Sequence, residues 1–122
     1  MYIPNWIQKR VSINEHIESY VEGKLEVFGD DQHGNKSFSA IVGTTSGIYF
    51  ISRSFISKGF SHFSTWESFI NKADVYSENG LFKSKIIFKI KENVITISTT
   101  KSKANYFLSY YSNKKTQSLD NS

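Results

Sequence analysis

Two short runs of β-branched and aromatic residues, 38–44 and 48–52, lie at the centre of the hydrophobic pattern. The residues between them end in Gly47, which can supply the positive φ that a tight hairpin loop requires. Apolar residues are adjacent within both runs, whereas a strand that faces water on one side would alternate apolar and polar residues. The pattern therefore predicts a β-hairpin that is covered at least partly on both faces, at the centre of a β-rich core.

A helix is predicted before this hairpin. Residues 12–15 have the Ser-x-x-Glu spacing of a capping box. An apolar stripe at the spacing of an amphipathic helix follows, at Ile13, Ile17, Tyr20 and Val21. Gly23 is expected to end this helix. Residues 24–28 then alternate as a first strand, and the turn-rich composition of residues 29–37 predicts a loop.

Short strands and one helical turn are predicted after the hairpin. Residues 66–71 place Trp66, Phe69 and Ile70 at i, i+3 and i+4, which is the spacing of a helical turn. Asn79 and Gly80 form the strongest hairpin signal in the chain. The expected strands in this half of the sequence are 61–65, 73–77, 83–89 and 94–99.

The chain is expected to close with an amphipathic helix. Ser102 is its predicted cap, and an apolar face follows at Ala104, Phe107, Leu108 and Tyr111. A length of 122 residues is enough for one domain. We predict an N-terminal arm at 1–11, a single domain at 12–113 and a flexible tail at 114–122. The fold class is α+β and mainly β, with about seven antiparallel strands, an N-terminal helix and a capping C-terminal helix.

Composition argues against several kinds of chemistry. The chain contains no cysteine, and His16, His33 and His62 lie in different predicted elements without metal-ligand spacing. It has no nucleophile elbow, phosphate-binding loop or paired acid motif. We therefore expect no enzyme activity, no metal and no cofactor. No apolar run reaches the ~20 residues of a membrane span. The N-terminus lacks the pattern of a signal peptide, so a cytoplasmic location is expected.

Charge is unevenly distributed along the chain. Residues 1–31 carry six acids and three bases, and the remainder carries twelve bases and five acids. Four lysines fall on one face of a predicted strand because their spacing is even, namely Lys83, Lys85, Lys89 and Lys91. This lysine stripe is either a solvated face that discourages edge pairing or a contact for an acidic partner, nucleic acid or an anionic membrane. Thirteen lysines against two arginines argue against sequence-specific readout of nucleic acid.

Several segments resemble a known family. The carrying segments are residues 40–50, 63–70, 80–88 and 94–97, followed by an amphipathic helix. Together they are similar to the pleckstrin-homology-like (PH-like) domains of Gram-positive bacteria and their phages, over roughly residues 20–113. Gly47 stands where the family usually has Arg or Lys after the hairpin threonine. The resemblance implies a non-catalytic binding module. The predicted loop at 29–36 carries two acids and one lysine, which would repel a phosphoinositide head group.

Two hypotheses for function follow. The first is protein binding, and the candidate contact residues are Tyr2, Trp6, Ile7, Tyr106 and Tyr110. The alternative for these residues is packing against the domain. A small copy rich in Lys, Asn, Ile and Ser suits a phage or mobile element, and its partner would then be a host or defence protein. The second hypothesis is binding to nucleic acid or acidic lipid through the lysine stripe. Self-association through an unpaired edge strand is compatible with both.

Overall fold

The computed structural model describes residues 2–11, 14–29, 32–52 and 61–120. Its elements in chain order are α1 (Asn5–Gln8), β1 (Ile17–Gly29), β2 (Gln32–Thr44), β3 (Gly47–Ser52), β4 (Ser61–Thr65), α2 (Trp66–Lys72), β5 (Ala73–Asn79), β6 (Lys83–Ile90), β7 (Asn93–Thr100) and α3 (Lys101–Asp120). Every strand pairing is antiparallel. Seven strands, a short N-terminal helix and a long C-terminal helix give the mainly β class that the sequence predicts.

The seven strands form one sheet that curls around its core. The strand order is β4-β3-β2-β1-β7-β6-β5, so the long strand β1 joins the two halves of the meander. Phe50 of β3 and Phe88 of β6 are separated by three strands, which in a flat sheet would put them about 19 Å apart. Their ring centroids are 5.4 Å apart. The sheet is therefore a half-barrel with α3 packed on its concave face, an architecture that is consistent with a PH-like fold.

The central hairpin is confirmed, and apolar clusters cover both of its faces. Ile41, Ile48 and Phe50 point into the half-barrel and pack with the residues of α2, β6, β7 and α3. Ala40, Val42, Ile51 and their neighbours point to the convex side, where the N-terminal segment covers them. Adjacent apolar residues in the hairpin thus serve two separate clusters, which explains why the sequence does not alternate there.

Gly47 is required by close packing and not by backbone conformation. Its φ lies outside the left-handed region, contrary to the prediction. A Cβ at this position would collide with the carbonyl oxygen of Ser64 and with the ring of Phe63. The turn is closed instead by Thr44, whose hydroxyl accepts a hydrogen bond from the Gly47 N–H and donates one to the Gly47 carbonyl.

The predicted helix over residues 12–22 is wrong. Residues 17–29 form β1, whose buried side alternates through Ser19, Val21, Leu25 and Val27. The predicted stripe is divided between the two faces of this strand: Val21 points into the half-barrel, whereas Ile17 and Tyr20 pack on the convex cluster, because the register shifts by one residue between Ile17 and Ser19. Gly23 lies inside the strand, and a Cβ there would collide with the carbonyl oxygen of Ser98 on β7. Ser12 and Ile13, the start of the predicted capping box, lie outside the described residues.

Two further boundaries differ from the prediction. Residues 32–37 belong to β2 and pair with β1, so most of the predicted loop at 29–37 is a long hairpin. α3 is capped by Thr100, whose hydroxyl accepts a hydrogen bond from the Lys103 N–H at 3.3 Å, and not by Ser102. The segment predicted as a flexible tail is helical through Asp120. The predicted apolar face of α3 is confirmed, because Ala104, Phe107 and Tyr111 are buried.

Candidate interaction surface

The N-terminal arm packs on the convex face of the sheet. Ile7 is completely buried, and the half-buried ring of Trp6 lies 6.2 Å from that of Phe38. Tyr2 remains 81% exposed, and its carbonyl accepts a hydrogen bond from the Tyr20 hydroxyl at 2.9 Å. Trp6 and Ile7 therefore pack against the domain, which was the alternative to partner binding. Tyr2 is the arm residue that a partner could reach.

The two tyrosines predicted on α3 have different environments. Tyr106 is 66% exposed. Tyr110 is half-buried, and its ring lies 5.9 Å from that of Trp66. The Tyr110 hydroxyl donates a hydrogen bond to Glu18 at 2.7 Å. Tyr110 therefore holds α3 to the sheet, and the five predicted contact residues do not form one surface.

A β-bulge explains how Glu18 reaches α3. Ile17 pairs with Thr44 and Ser19 pairs with Gly43, so Glu18 is an extra residue in β1. Such a bulge redirects the side chain of the inserted residue. Glu18 forms an ion pair with Lys114 at 2.7 Å, and Lys114 lies over the rings of Trp66 and Tyr110. The Trp66 indole N–H donates to the Thr44 carbonyl at 2.7 Å. These groups form one network, which we call the α3 clamp.

The clamp changes the pKa of two of its members. Burial and the hydrogen bond to Glu18 raise the pKa of the Tyr110 phenol far above its usual range. Burial acts to raise the pKa of Glu18, but the hydrogen bonds from Lys114 and Tyr110, with the charges of Lys114 and His16, hold it below its ordinary value. Each shift follows from contacts that fix α3, so we interpret the clamp as structural.

Removing the charge of Glu18 should weaken the fold in a pH-dependent way. Because the folded-state pKa of Glu18 is lowered, its contribution is complete above about pH 4.3 and is lost as the pH falls through the folded value. We expect Glu18→Gln to lower the free energy of unfolding by about 1–2 kcal/mol at pH 6 and by less at pH 3. Urea denaturation of both proteins at the two pH values measures this difference. An equal gap at pH 3 and pH 6 would show that the charge does not matter.

The lysine stripe lies on the outer face of β6, and two of its four lysines have an acidic residue opposite them on the neighbouring strand. Lys83, Lys85 and Lys89 are exposed as predicted. Glu78 lies directly opposite Lys85, and Asp74 directly opposite Lys89, on the neighbouring strand β5. Lys91 belongs to the turn after β6. Ile87 shares the lysine face and is only 5% exposed. We interpret the lysine stems as part of its cover, since long cationic side chains can bury apolar surface.

The connection between β5 and β6 exposes two adjacent apolar side chains. Leu81 is 82% exposed and Phe82 is 83% exposed, so their side chains lie almost entirely in solvent. The backbone beneath them is fixed by a hydrogen bond of 2.7 Å from the Gly80 N–H to the Lys83 carbonyl. Beside them is a cleft of about 520 Å³. We call Leu81 and Phe82 the β5–β6 tip.

Lysines surround the β5–β6 tip. Lys83 and Lys85 line the adjoining cleft together with one acid, Glu78. Lys83 pairs with Thr100, after which α3 begins, so the exposed side chains of Lys101 and Lys103 start from the same end of the sheet. Lys24 is aligned with Lys85 across β7 through Ser98, and Glu22 and Glu26 lie on either side of Lys24 on the same face of β1. The tip is thus an apolar point in a mainly basic surrounding.

The sequence pattern gave only a weak indication of this surface. Leu81 and Phe82 follow directly after the predicted turn and precede the alternating strand. Because apolar residues next to a strand usually pack, their position alone did not indicate exposure. The structure shows that the strands end at Asn79 and begin again at Lys83, which leaves both apolar residues in the connection.

Comparison of this chain with protein-family models, with curated proteins and with solved structures found no match. Within the described ranges, no set of three or more His, Asp or Glu side chains is placed to hold a metal ion. Over the same residues, no helix combines the length and the apolar character that crossing a membrane requires.

Proposed function

We propose that this chain is a non-catalytic binding module that recognises another protein through the β5–β6 tip. The observation that carries the proposal is the exposure of Leu81 and Phe82, at 82% and 83%. Fully burying each side chain is worth about 1.5–3 kcal/mol. Phe82 is the stronger anchor, since aromatic side chains dominate the energetics of interfaces, and Leu81 extends the same apolar surface.

The way in which the tip is held supports this role. The hydrogen bond between Gly80 and Lys83 closes the connection, and the Ser84 hydroxyl donates to the Asn79 side chain at 2.7 Å below it. A partner would therefore meet anchors on a backbone that is already ordered, which reduces the entropic cost of binding. The lysines around the tip would form the polar rim of such an interface.

Replacing both anchors should weaken binding strongly and leave the fold intact. We expect the double variant Leu81→Ser, Phe82→Ser to bind its partner roughly 100-fold more weakly, because both apolar contacts are lost. The measurement is affinity capture from source-cell lysate with quantitative mass spectrometry, followed by a titration of the purified partner. The rival variant Tyr106→Ser removes an exposed ring from α3, the surface that the sequence predicted.

The two variants separate the two protein-binding surfaces. Loss of a partner with the tip variant, but not with Tyr106→Ser, supports the tip. Loss with Tyr106→Ser alone would return the assignment to α3. A circular dichroism spectrum and urea midpoint equal to those of the unmodified chain ensure that the tip variant is folded. If all three proteins capture the same set, neither surface mediates binding.

Binding to an anionic surface is a second candidate. Five exposed lysines lie at the end of the sheet that carries the tip, namely Lys24, Lys83, Lys85, Lys101 and Lys103. Affinity for nucleic acid or acidic lipid through these groups would fall steeply with salt. The captured material is washed at low salt and at about 0.5 M salt, which is well above physiological ionic strength. Nucleic acid that is retained at low salt and lost at about 0.5 M salt would favour this candidate. Retention of one protein at both salt concentrations would favour the first. Like charges around the tip disfavour a symmetric tip-to-tip dimer.

A further inference from the structure

A second cleft lies on the other side of the half-barrel, between α2 and the turn that joins β6 to β7. Its volume is about 500 Å³, which is within the range of small-molecule sites. Phe63, which is 40% exposed, and the half-buried Ile90 provide apolar surface, while Phe69 is only 3% exposed and packs mainly into the core. The described residues around it also include Lys72, Lys91, Ser68 and Asn93, and no carboxylate. The cleft therefore combines an apolar interior with a cationic rim.

The backbone of Lys91 is unusual. Its φ is 56°, and it is the only residue other than glycine with a positive φ among the described residues. Two-residue hairpin loops normally place Gly, Asn or Asp at such a position, because a larger side chain is strained there. A residue held in an unfavourable conformation beside a cleft points to a use for its side chain. Lys91 supplies an ammonium group on the rim that glycine could not provide.

We propose that this cleft binds an amphipathic monoanion, a molecule with an apolar body and a single carboxylate. The apolar body would lie against Phe63 and Ile90. The carboxylate would lie between Lys72 and Lys91, whose positive charges have no opposing acid in the described lining. The Ser68 hydroxyl and the Asn93 amide are further hydrogen-bonding groups at the same opening. This site is separate from the β5–β6 tip, and the proposal does not depend on the function assigned to the tip.

The test uses sodium decanoate and, as an uncharged partner of equal chain length, decan-1-ol. Each is titrated below its solubility limit into the ¹⁵N-labelled full chain, and the amide signals of Ser68 and Asn93 are followed. We expect saturable shifts with decanoate and much weaker binding of the alcohol. Lys91→Gly should weaken decanoate binding roughly fivefold. The same change should raise the Tm by about 2–4 °C, because it removes the positive-φ strain.

Two more variants separate charge from backbone strain. Lys72→Gln should weaken decanoate binding by roughly two- to fivefold and leave the Tm unchanged, since Lys72 is exposed at the end of α2. Lys115→Gln removes an exposed lysine from α3 and should bind decanoate as the unmodified chain does. The proposal is overturned if decanoate gives no saturable shifts, if the alcohol binds equally well, or if Lys91→Gly binds with unchanged affinity.

Discussion

Gly23→Ala is expected to lower the free energy of unfolding by about 3 kcal/mol or more, at the upper end of the cost of overpacking. Gly23 lies within β1, and an added Cβ would collide with the backbone carbonyl of Ser98 on β7. Backbone atoms cannot rotate away as a side chain could, so the methyl group must push β1 from β7. Because β1 joins the two halves of the sheet, that displacement would open the half-barrel.

Equilibrium urea denaturation measures this effect, and Lys24→Ala is the matched control. Lys24 is the next residue in the same strand, and its side chain is exposed. The control should differ from the unmodified chain by no more than about 0.5 kcal/mol. If Gly23→Ala were as mild as Lys24→Ala, the pairing of β1 with β7 at this point would be contradicted. The helix predicted over residues 12–22 would then have to be reconsidered.

Phe88→Ala is expected to lower the free energy of unfolding by about 3–5 kcal/mol. Phe88 is completely buried, and its ring lies 5.4 Å from that of Phe50 and 6.1 Å from that of Phe69. These rings bring α2 together with β3 and β6, two strands that lie far apart in the strand order. The variant would lose the apolar burial of one ring and leave a cavity at the contact that keeps the sheet curled.

Phe82→Ser is a control for the stability effect of Phe88→Ala, because Phe82 lies only six residues away in the sequence. Phe82 is 83% exposed, so its replacement should change the free energy of unfolding by no more than about 0.5 kcal/mol. Urea unfolding curves of the two variants measured side by side test both statements. Comparable destabilisation by the two changes would mean that Phe82 packs in solution, and the β5–β6 tip would lose its claim to be a contact surface.

Much of the fold could be predicted because several segments carry one unambiguous period. The segment 83–89 alternates cleanly, and Trp66, Phe69 and Ile70 have a helical spacing that α2 keeps. Ile17, Tyr20 and Val21 have the same helical spacing but lie in β1, where a bulge directs Ile17 and Tyr20 to one face and Val21 to the other. The strand conformation of this segment is set by its pairing with residues 41–44 of β2, which are more than 15 residues away in the sequence.

The candidate site was harder to predict than the fold. Tyr110 and Ile7 are residue types that are common at interfaces, but both pack within the protein. Tyr110 belongs to the α3 clamp, and Ile7 belongs to the convex apolar cluster. Leu81 and Phe82 resemble ordinary strand residues, and only the three-dimensional path of the connection leaves them in solvent. The bulge at Glu18 and the positive φ of Lys91 also depend on strand register, which the local sequence does not specify.

The most direct test of the tip assignment is photo-crosslinking in source cells. Phe82 is replaced by the photoreactive residue p-benzoylphenylalanine in one protein, and Tyr106 is replaced in another. Adducts are then identified by mass spectrometry. We predict that position 82 gives a covalent adduct with a single protein and that position 106 does not. A protein adduct at position 106 alone, or lipid or nucleic-acid adducts at position 82 without a protein, would contradict the proposal that the β5–β6 tip recognises another protein.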